Sequence, residues 1–182
     1  MEERIDIWDE HGRPTGRTAL KSEAHQNGWY HPTVHIWFYS PRGEILLQKR
    51  GDDKDTYPGL WDVSVAGHIG AGESTHSAAL REIQEEIGLE VPLELLQSVF
   101  VDKASHRHPN GILDNEFRHV YLCPLQTTVS KLIPQQSEVS ELKLLPLLQF
   151  AEETWGLARP GVYVPHGADY YGRVVREVRL RL

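Results

Sequence analysis

The chain has 182 residues, of which 40% are hydrophobic and 25% charged, and its formal net charge is −7. These values are typical of a folded protein with a sizeable core, and the negative charge argues against a broad nucleic-acid-binding surface. No segment offers the roughly 18 consecutive apolar residues that a membrane span requires, and the first residues lack a hydrophobic signal core. Because the single cysteine, Cys123, has no internal disulfide partner, we expect a cytoplasmic protein that binds a small molecule.

The first part of the chain is predicted to form strands. Ile5 and Ile7 alternate with polar residues before a polar turn, which is the pattern of a β-hairpin. An apolar run begins at Val34, and a Pro-Arg-Gly turn leads from it into a second run. The predicted segments are a hairpin over 4–20 within an N-terminal extension of residues 1–30, strands over 34–39 and 44–50, a polar loop over 51–58, and a strand over 61–69 that enters a glycine-rich turn.

A helix follows over residues 75–87. Ser74 or Thr75 supplies its N-terminal cap, and Gly88 is the residue type that ends helices in a left-handed conformation. The apolar residues fall mostly on one side, where the helix can pack on a sheet: Ala78, Ala79, Ile83 and Ile87.

The second half of the chain alternates strands with short helices. The expected elements are strands over 93–101, 116–125 and 138–145, a short helix from Pro146 to Glu153, an irregular segment over 155–171, and a final helix over 169–182. Proline and glycine exclude a regular helix from the irregular segment, and the final helix carries an apolar stripe at Val174, Val175, Val178 and Leu182. The chain is therefore predicted to be one α/β domain, a mixed sheet sandwiched by helices, with a C-terminal loop and helix over 156–182.

Three glutamates on the 75–87 helix point to metal chemistry. Glu82, Glu85 and Glu86 stand at i, i+3 and i+4, so their carboxylates emerge from one helix face. Without a cation these like charges destabilise the helix, whereas Mg²⁺ or Mn²⁺ would accept the oxygens as ligands and bridge to phosphate. The alternative is a solvated charged face. Nearby glycines, including Gly67, allow the backbone to approach a ligand closely.

The spacing around these glutamates resembles the signature of the Nudix superfamily at every defined position. Gly67 is followed after five residues by Glu73, after seven more by Arg81-Glu82-Ile83, and then by Glu85-Glu86 and Gly88-Leu89. The resemblance implies an α/β/α sandwich and cleavage of a diphosphate linkage by a metal-activated water molecule. The implied substrate is a nucleoside di- or triphosphate or a related compound.

The same resemblance implies roles for individual residues. Glu85 and Glu86 are the expected principal metal ligands, and Glu82 is either a third ligand or the general base. The Gly67 carbonyl is a further candidate ligand. Arg81 and Glu73 are expected to form an orienting ion pair at the catalytic centre.

Three other stretches are similar to type 1 isopentenyl-diphosphate isomerases and the hydrolases most like them. They begin at Glu23, Gln48 and Asp114, and the resemblance covers roughly residues 4–155. In those isomerases, three histidines and two acidic residues build a second metal centre. The matching positions here are His25, His31, His68, Asp114 and Glu116, which suit a second divalent metal; the alternative is that the histidines are hydrogen-bonded residues beside the pocket.

The isomerase reaction requires a proton donor and an acceptor on opposite faces of an alkene. The resemblance places the acidic partner at Glu116, but Ala66 occupies the position of the essential cysteine, and a methyl group carries no proton. Cys123 lies elsewhere and is expected to be a small core residue. Hydrolysis is therefore the favoured interpretation, with an isomerase or a non-catalytic diphosphate-binding domain as alternatives.

The remaining candidate residues would contact substrate. Arg50 and Lys54 follow the second long strand and are expected to bind diphosphate, unless they form an ordinary basic turn. Trp61 is a candidate for the cavity wall or the core, and Glu116 is a further substrate contact. A polar loop is expected to close over substrate or lie in solvent; it contains Lys103, Ser105, His106, Arg107 and His108. The N-terminal hairpin and exposed aromatic residues are compatible with a homodimer.

Overall fold

The computed structural model describes residues 2–154 and 161–182. The strands are β1 (Arg4–Trp8), β2 (Pro14–Leu20), β3 (His31–Tyr39), β4 (Glu44–Arg50), β5 (Trp61–Asp62), β6 (Val65–His68), β7 (Gln97–Arg107), β8 (Leu113–Pro124) and β9 (Val139–Pro146). The helices are α1 (Lys21–Asn27), α2 (Thr75–Ile87), α3 (Leu147–Thr154) and α4 (Ala168–Arg179), with short 3₁₀ turns at Leu93–Leu95 and Val129–Lys131.

A mixed sheet forms the centre of the fold. Its strand order is β5-β4-β3-β8-β7, with β6 paired to β3 and β9 paired to β4, while β1 and β2 form a separate hairpin. The β3–β8 pair is parallel and the other pairs are antiparallel. The predicted α/β fold with a mixed sheet and an N-terminal hairpin is therefore confirmed.

Two apolar clusters cover the faces of the sheet, and β3 contributes to both. Val34, Ile36 and Phe38 belong to the cluster that includes α2. Trp37 and Tyr39 belong to the cluster that includes α3 and α4. This alternation follows from the two-residue period of a strand, which sends successive side chains to opposite faces. None of the described helices is both long and apolar enough to cross a membrane.

Helix α2 has the predicted bounds and caps. The Ser74 side chain accepts a hydrogen bond from the Ser77 amide at 3.1 Å, and Gly88 ends the helix at φ 64°. Its apolar side chains are fully buried against the sheet, as expected: Ala78, Ala79, Ile83 and Ile87. The caps and the packing together fix the direction in which the glutamates emerge.

Several predicted bounds are wrong. The strand expected over 61–69 is two strands, broken at Val63 and Ser64, where the Ser64 hydroxyl bonds the backbone of β3 and β4 instead. Strand β7 begins at Gln97 and continues to Arg107, so the predicted polar loop over 103–108 is a strand paired with β8 in all but its last residue, His108. Long-range pairing of this kind leaves no local signal.

The remaining corrections concern the ends of elements. Helix α1 was not predicted, and Pro146 ends β9 rather than beginning α3. The apolar stripe of α4 buries Val174, Val175 and Val178, but Leu182 lies beyond the helix and is 57% exposed. Of the segment predicted to be irregular, 155–160 lie outside the described residues, 161–167 are non-helical and α4 begins at Ala168.

Candidate functional site

A cavity of about 560 Å³ opens beside α2. This volume is within the range found for small-molecule binding sites. Strand register brings its polar wall together. Along β3, His31 pairs with Glu116 and Thr33 with Arg118 of β8, while Thr33 pairs with His68 of β6 on the other side. Because alternate residues of a strand share a face, His31, Thr33 and His35 point to the same side of β3.

The carboxylate of Glu82 lies directly against the Cα atom of Gly67. A Cβ atom added at Gly67 would overlap the Glu82 carboxyl group, so no residue with a side chain fits there without displacing that group. Glu86, one helical turn further on, accepts hydrogen bonds from Gln48 Nε2 at 3.1 Å and from the Ala66 amide at 3.3 Å. Both carboxylates line the cavity and are largely buried.

Burial also determines the electrostatics of this pair. Burial raises the pKa of Glu82 from 4.5 to about 7, against the opposing effect of Arg81. Burial and the neighbouring Glu82 raise the pKa of Glu86 well above its ordinary value, although Lys54 opposes the shift. Two buried acids that resist ionisation fit a divalent cation, because such an ion would compensate the negative charges that Arg81 and Lys54 offset only in part.

Arg81 ties the helix to the preceding turn. It forms a bidentate pair with Glu73, at 3.1 Å to Oε1 and 2.9 Å to Oε2, and it also donates to the His68 carbonyl at 2.9 Å. The same guanidinium contacts Glu82 at 2.7 Å and Glu85 at 3.1 Å. The expected Arg81–Glu73 ion pair is present. Glu85 is the exposed member of the glutamate set, with 53% of its side chain accessible.

A second cluster brings together the three histidines and two acids proposed from the resemblance. Nitrogens of His25, His31 and His68 lie within 4.8 Å of one another, and ligand atoms of His31, Asp114 and Glu116 do the same. His25 Nε2 lies 3.6 Å and His31 Nε2 3.9 Å from Asp114 Oδ1. Helix α1 supplies His25, while β3, β6 and β8 supply the other four.

The donor chemistry of this cluster fits a divalent metal. Burial lowers the pKa of His25 to about 4, which keeps a neutral nitrogen free to coordinate. His31 Nε2 and Asp114 Oδ1 are buried without a hydrogen-bond partner among the described residues. Burial alone would raise the pKa of Glu116, but Arg118 at 2.8 Å holds it well below its ordinary value. Buried polar atoms without partners are rare in native proteins, so these two indicate a ligand.

The predicted phosphate-binding cations line the same cavity. Arg50 uses three N–H groups internally, on Asp62 at 3.0 Å and on the carbonyl and hydroxyl of Thr56, so within the described part of the chain two of its five donors have no partner. Lys54 forms an ion pair with Glu138 at the cavity wall. Trp61 is not among the lining residues: its ring packs under the ammonium of Lys143, 3.7 Å from the centroid.

The sequence interpretation missed several cavity residues, among them Thr33, His35, Arg118 and His166. His166 Nε2 lies 2.7 Å from Asp62 Oδ1, and His35 Nδ1 lies 2.6 Å from the Tyr170 hydroxyl. Arg118 contacts Glu116, as described above. The alternation of polar His31, Thr33 and His35 with apolar neighbours on β3 was the available signal, but the run was read only as a buried strand.

Ala66 occupies the position at which the isomerases carry their essential cysteine, so this position offers no thiol to the cavity. Ala66 faces the cavity from β6, next to Glu86. Cys123 is buried in the apolar cluster on the α2 side of the sheet, where burial raises the pKa of its thiol to about 12. It is a core residue, as predicted.

Comparison with known proteins gives concordant matches. The chain matches the family described as NUDIX domain over residues 29–164. It is 35% identical to Nudix hydrolase 3 of Arabidopsis thaliana, over 99% of this chain but 24% of that protein, so it spans about a quarter of that relative's length. It is also 34% identical to an isopentenyl-diphosphate Delta-isomerase of Kocuria rhizophila, over 98% of this chain and 94% of the isomerase.

A solved structure supports the same fold. DR0079 of Deinococcus radiodurans superimposes with a TM-score of 0.70, covering 94% of this chain and 98% of the other, at 21% sequence identity. At this identity the likeness concerns the fold.

Proposed function

Because this chain belongs to the Nudix family, we propose that it is a metal-dependent hydrolase that cleaves a diphosphate linkage in a nucleoside di- or triphosphate or a related compound. The observation that carries the proposal is the pair of buried carboxylates, Glu82 and Glu86, packed against Gly67 in the wall of the cavity. Glu85 adds a more exposed carboxylate on the same helix face.

The glutamates of α2 would hold Mg²⁺ or Mn²⁺, with the Gly67 carbonyl as a further candidate ligand. Such an ion, when bound, neutralises the diphosphate and lowers the pKa of a water molecule. The protein's own contribution is to fix the ligands: Arg81, held by Glu73 and the His68 carbonyl, positions Glu82 and Glu85 through charge-assisted hydrogen bonds.

Substrate phosphates would be bound by Arg50 and Lys54. Arg50 retains two N–H donors, which suits bidentate contact with a phosphate, and Asp62 and Thr56 already orient its guanidinium. Lys54 can exchange its partly exposed partner Glu138 for a phosphate oxygen. Glu82 is also a candidate general base, because a carboxylate whose pKa is raised to about 7 accepts a proton near neutral pH.

The cluster of His25, His31, His68, Asp114 and Glu116 is proposed to hold a second divalent metal. Its imidazole nitrogens and carboxylates suit a first-row ion, or Mg²⁺ if the acids dominate. Metal analysis of the purified protein tests this assignment directly. An Asp114→Asn variant should lose one metal equivalent per chain and keep the equivalent held by α2.

An isomerase is the second candidate, favoured by this cluster and by the relatives that carry the isomerase name. Against it, Ala66 offers no proton, and Cys123 lies in the apolar cluster on the α2 side of the sheet. Incubation with isopentenyl diphosphate, followed by mass spectrometry, decides between them. Formation of dimethylallyl diphosphate would overturn the hydrolase proposal.

The main test is a phosphate-release screen across nucleotides, sugar nucleotides, dinucleotides and prenyl diphosphates with Mg²⁺ or Mn²⁺. We expect turnover of at least one compound, and its loss with chelator. Glu90→Gln is the matched control for α2 variants, because Glu90 is exposed just beyond the helix. Tight binding of a diphosphate without turnover of any compound would favour a non-catalytic diphosphate-binding domain.

A further inference from the structure

A histidine in the cavity wall has no role in the chemistry proposed above. His166 Nε2 lies 2.7 Å from Asp62 Oδ1, and both side chains line the cavity. Only 5% of the His166 side chain and 4% of the Asp62 side chain are exposed. A buried carboxylate bonded to one nitrogen of an imidazole is an arrangement that can prepare the other nitrogen for proton transfer.

The segment before α4 holds His166 beside β5. The Trp61 amide donates to the Val162 carbonyl at 2.8 Å, and the Val164 amide donates to the Trp61 carbonyl at 2.9 Å, so this segment runs parallel to β5. The Tyr171 hydroxyl, from α4, donates to the Val164 carbonyl at 2.5 Å. Backbone pairing therefore fixes the place of His166 in the wall.

Hydrogen bonds to Asp62 determine which nitrogen of His166 is left free. Asp62 accepts from the Val63 amide at 2.8 Å, from Arg50 at 3.0 Å and from His166 Nε2. Burial alone would raise the pKa of Asp62, but His166 and Arg50 hold it well below its ordinary value, so the carboxylate stays ionised. Because an ionised carboxylate only accepts, Nε2 carries the proton of the neutral ring. Nδ1 is then an acceptor, and it is buried without a hydrogen-bond partner among the described residues.

Glu82, the other candidate for the general base, is already engaged. Its carboxylate accepts a hydrogen bond from Arg81 at 2.7 Å, and the proposed function assigns it to a metal ion. A bound cation favours the deprotonated form of its ligands, which makes a metal-bound carboxylate a poor proton acceptor. His166 Nδ1 has neither a donor nor a metal assigned to it.

His166 is close to the residues that would hold the diphosphate. Its partner Asp62 pairs with Gln48 across β4 and β5, and side chains at such positions have Cβ atoms about 5 Å apart. Gln48 Nε2 donates to Glu86 of the metal helix at 3.1 Å, while Arg50 donates to Asp62. Burial shields Nδ1 from bulk solvent, and catalytic hydrogen bonds of this kind commonly tighten only when substrate is bound.

We propose that His166 is the general base of the hydrolysis and that Asp62 is its positioning residue. Nδ1 takes one proton from a water molecule while the water oxygen bonds to phosphorus. The P–O bond to the leaving group breaks, and its electron pair stays on the leaving oxygen. Asp62 stabilises the imidazolium that forms, and the proton passes to solvent when the products leave. This inference rests on the proposed function and deepens it.

The titratable groups around the ring favour one charge state near neutral pH. Burial lowers the pKa of His35 to about 3 and also lowers the pKa of His106, so both rings favour the neutral form. Burial raises the pKa values of Tyr170 and Tyr171, whose rings pack on His166. The nearby charged groups are paired with one another: Asp102, Arg118 and Arg173. A limb of the activity profile that depends on His166 can therefore be assigned to its own ring.

The pH dependence of hydrolysis tests the inference. The assay uses saturating Mg²⁺ and the compound that is turned over fastest in the phosphate-release screen. Wild-type kcat should fall as the pH decreases from about 8 to 5, because a base must be unprotonated. His166→Asn should lower kcat about 100-fold or more, change KM less than about threefold, and lose this acidic limb.

His11→Asn is the matched control. His11 Nε2 also lies near a carboxylate, Glu10 at 3.6 Å, but its side chain is 69% exposed and is not among those lining the cavity. Its kcat, KM and pH profile should equal those of wild type.

Chemical rescue separates a base from a residue with a structural role. His166→Ala leaves space for a free imidazole molecule, which should raise kcat at least about tenfold. Triazole has nearly the same shape but is a much weaker base, so it should not restore activity. Equal rescue by the two compounds would contradict the inference. Nitrogen NMR of the wild-type protein needs no variant to fold, and a neutral His166 ring with its proton on Nδ1 would also contradict it.

The inference and the proposed function fail by different results. Phosphate release near the wild-type rate in His166→Asn, with the acidic limb intact, would overturn the role of His166 and leave the proposed hydrolysis standing. Absence of phosphate release from every compound in the wild-type screen would overturn the proposed hydrolysis itself.

Discussion

Replacing Glu82 with glutamine should make the metal-free protein more stable while it weakens metal binding. The pKa of Glu82 rises from 4.5 to about 7 on folding, so the folded state binds this proton more tightly than the unfolded chain does. The free energy of unfolding therefore falls as the pH rises from about 4.5 to 7, and it stays low above that range. The shift corresponds to at most about 3 kcal/mol, which Glu82→Gln would restore at pH 8 but not at pH 4.

Chemical denaturation of the metal-free proteins at pH 4 and pH 8, repeated with saturating Mg²⁺, measures this effect. Wild type should gain stability from Mg²⁺, and Glu82→Gln should gain less, because at a given Mg²⁺ concentration tighter binding to the folded state stabilises it more. Glu85→Gln serves as the control: its side chain is 53% exposed, so metal-free stability should change by about 0.5 kcal/mol or less. A Glu82→Gln protein that is less stable than wild type at pH 8, or equally stabilised by Mg²⁺, would refute the reasoning.

Three further changes have defined outcomes. Glu86→Gln should lower kcat by orders of magnitude with an unchanged circular dichroism spectrum, because it removes a metal charge rather than packing; activity within a few-fold of wild type would mean the metal assignment is wrong. Gly67→Ala should displace the Glu82 carboxylate and abolish the Mg²⁺-induced thermal shift, and an intact shift would contradict the packing argument. Tyr170→Phe should reduce the free energy of unfolding by about 2–3 kcal/mol, because it removes the hydroxyl that is hydrogen-bonded to the buried His35 and Trp37 side chains. A loss below about 0.5 kcal/mol would be inconsistent with these two hydrogen bonds.

Local signals made the metal helix predictable. Ser74 caps the helix N-terminus through its side chain, and Gly88 ends the helix through its left-handed backbone conformation. Both effects depend only on residues a few positions away, so the bounds of α2 were predicted correctly. The glutamate spacing determines a common helix face without any tertiary information. The signature thus gave both the helix and its expected chemistry.

Long-range pairing made the rest of the site unpredictable. Arg118 lies in the cavity wall because parallel pairing sets it beside Thr33, 85 positions away in the chain. His166 reaches Asp62 from the segment before α4, which carried only a pattern of proline and glycine. Lys103 and its neighbours are polar in sequence, yet pairing with β8 places them in a strand.

The N-terminal hairpin is joined to the turn that leads into α2. The Ala71 amide donates to the Arg4 carbonyl at 2.8 Å, and the Gly72 amide donates to Asp6 at 2.9 Å. The family match begins at residue 29, which excludes these contacts and also His25. A recombinant fragment cut at that boundary would retain every signature residue yet lose one wall of the histidine cluster and the support beneath the glycine turn. A fragment of this chain that keeps these contacts must therefore begin at β1.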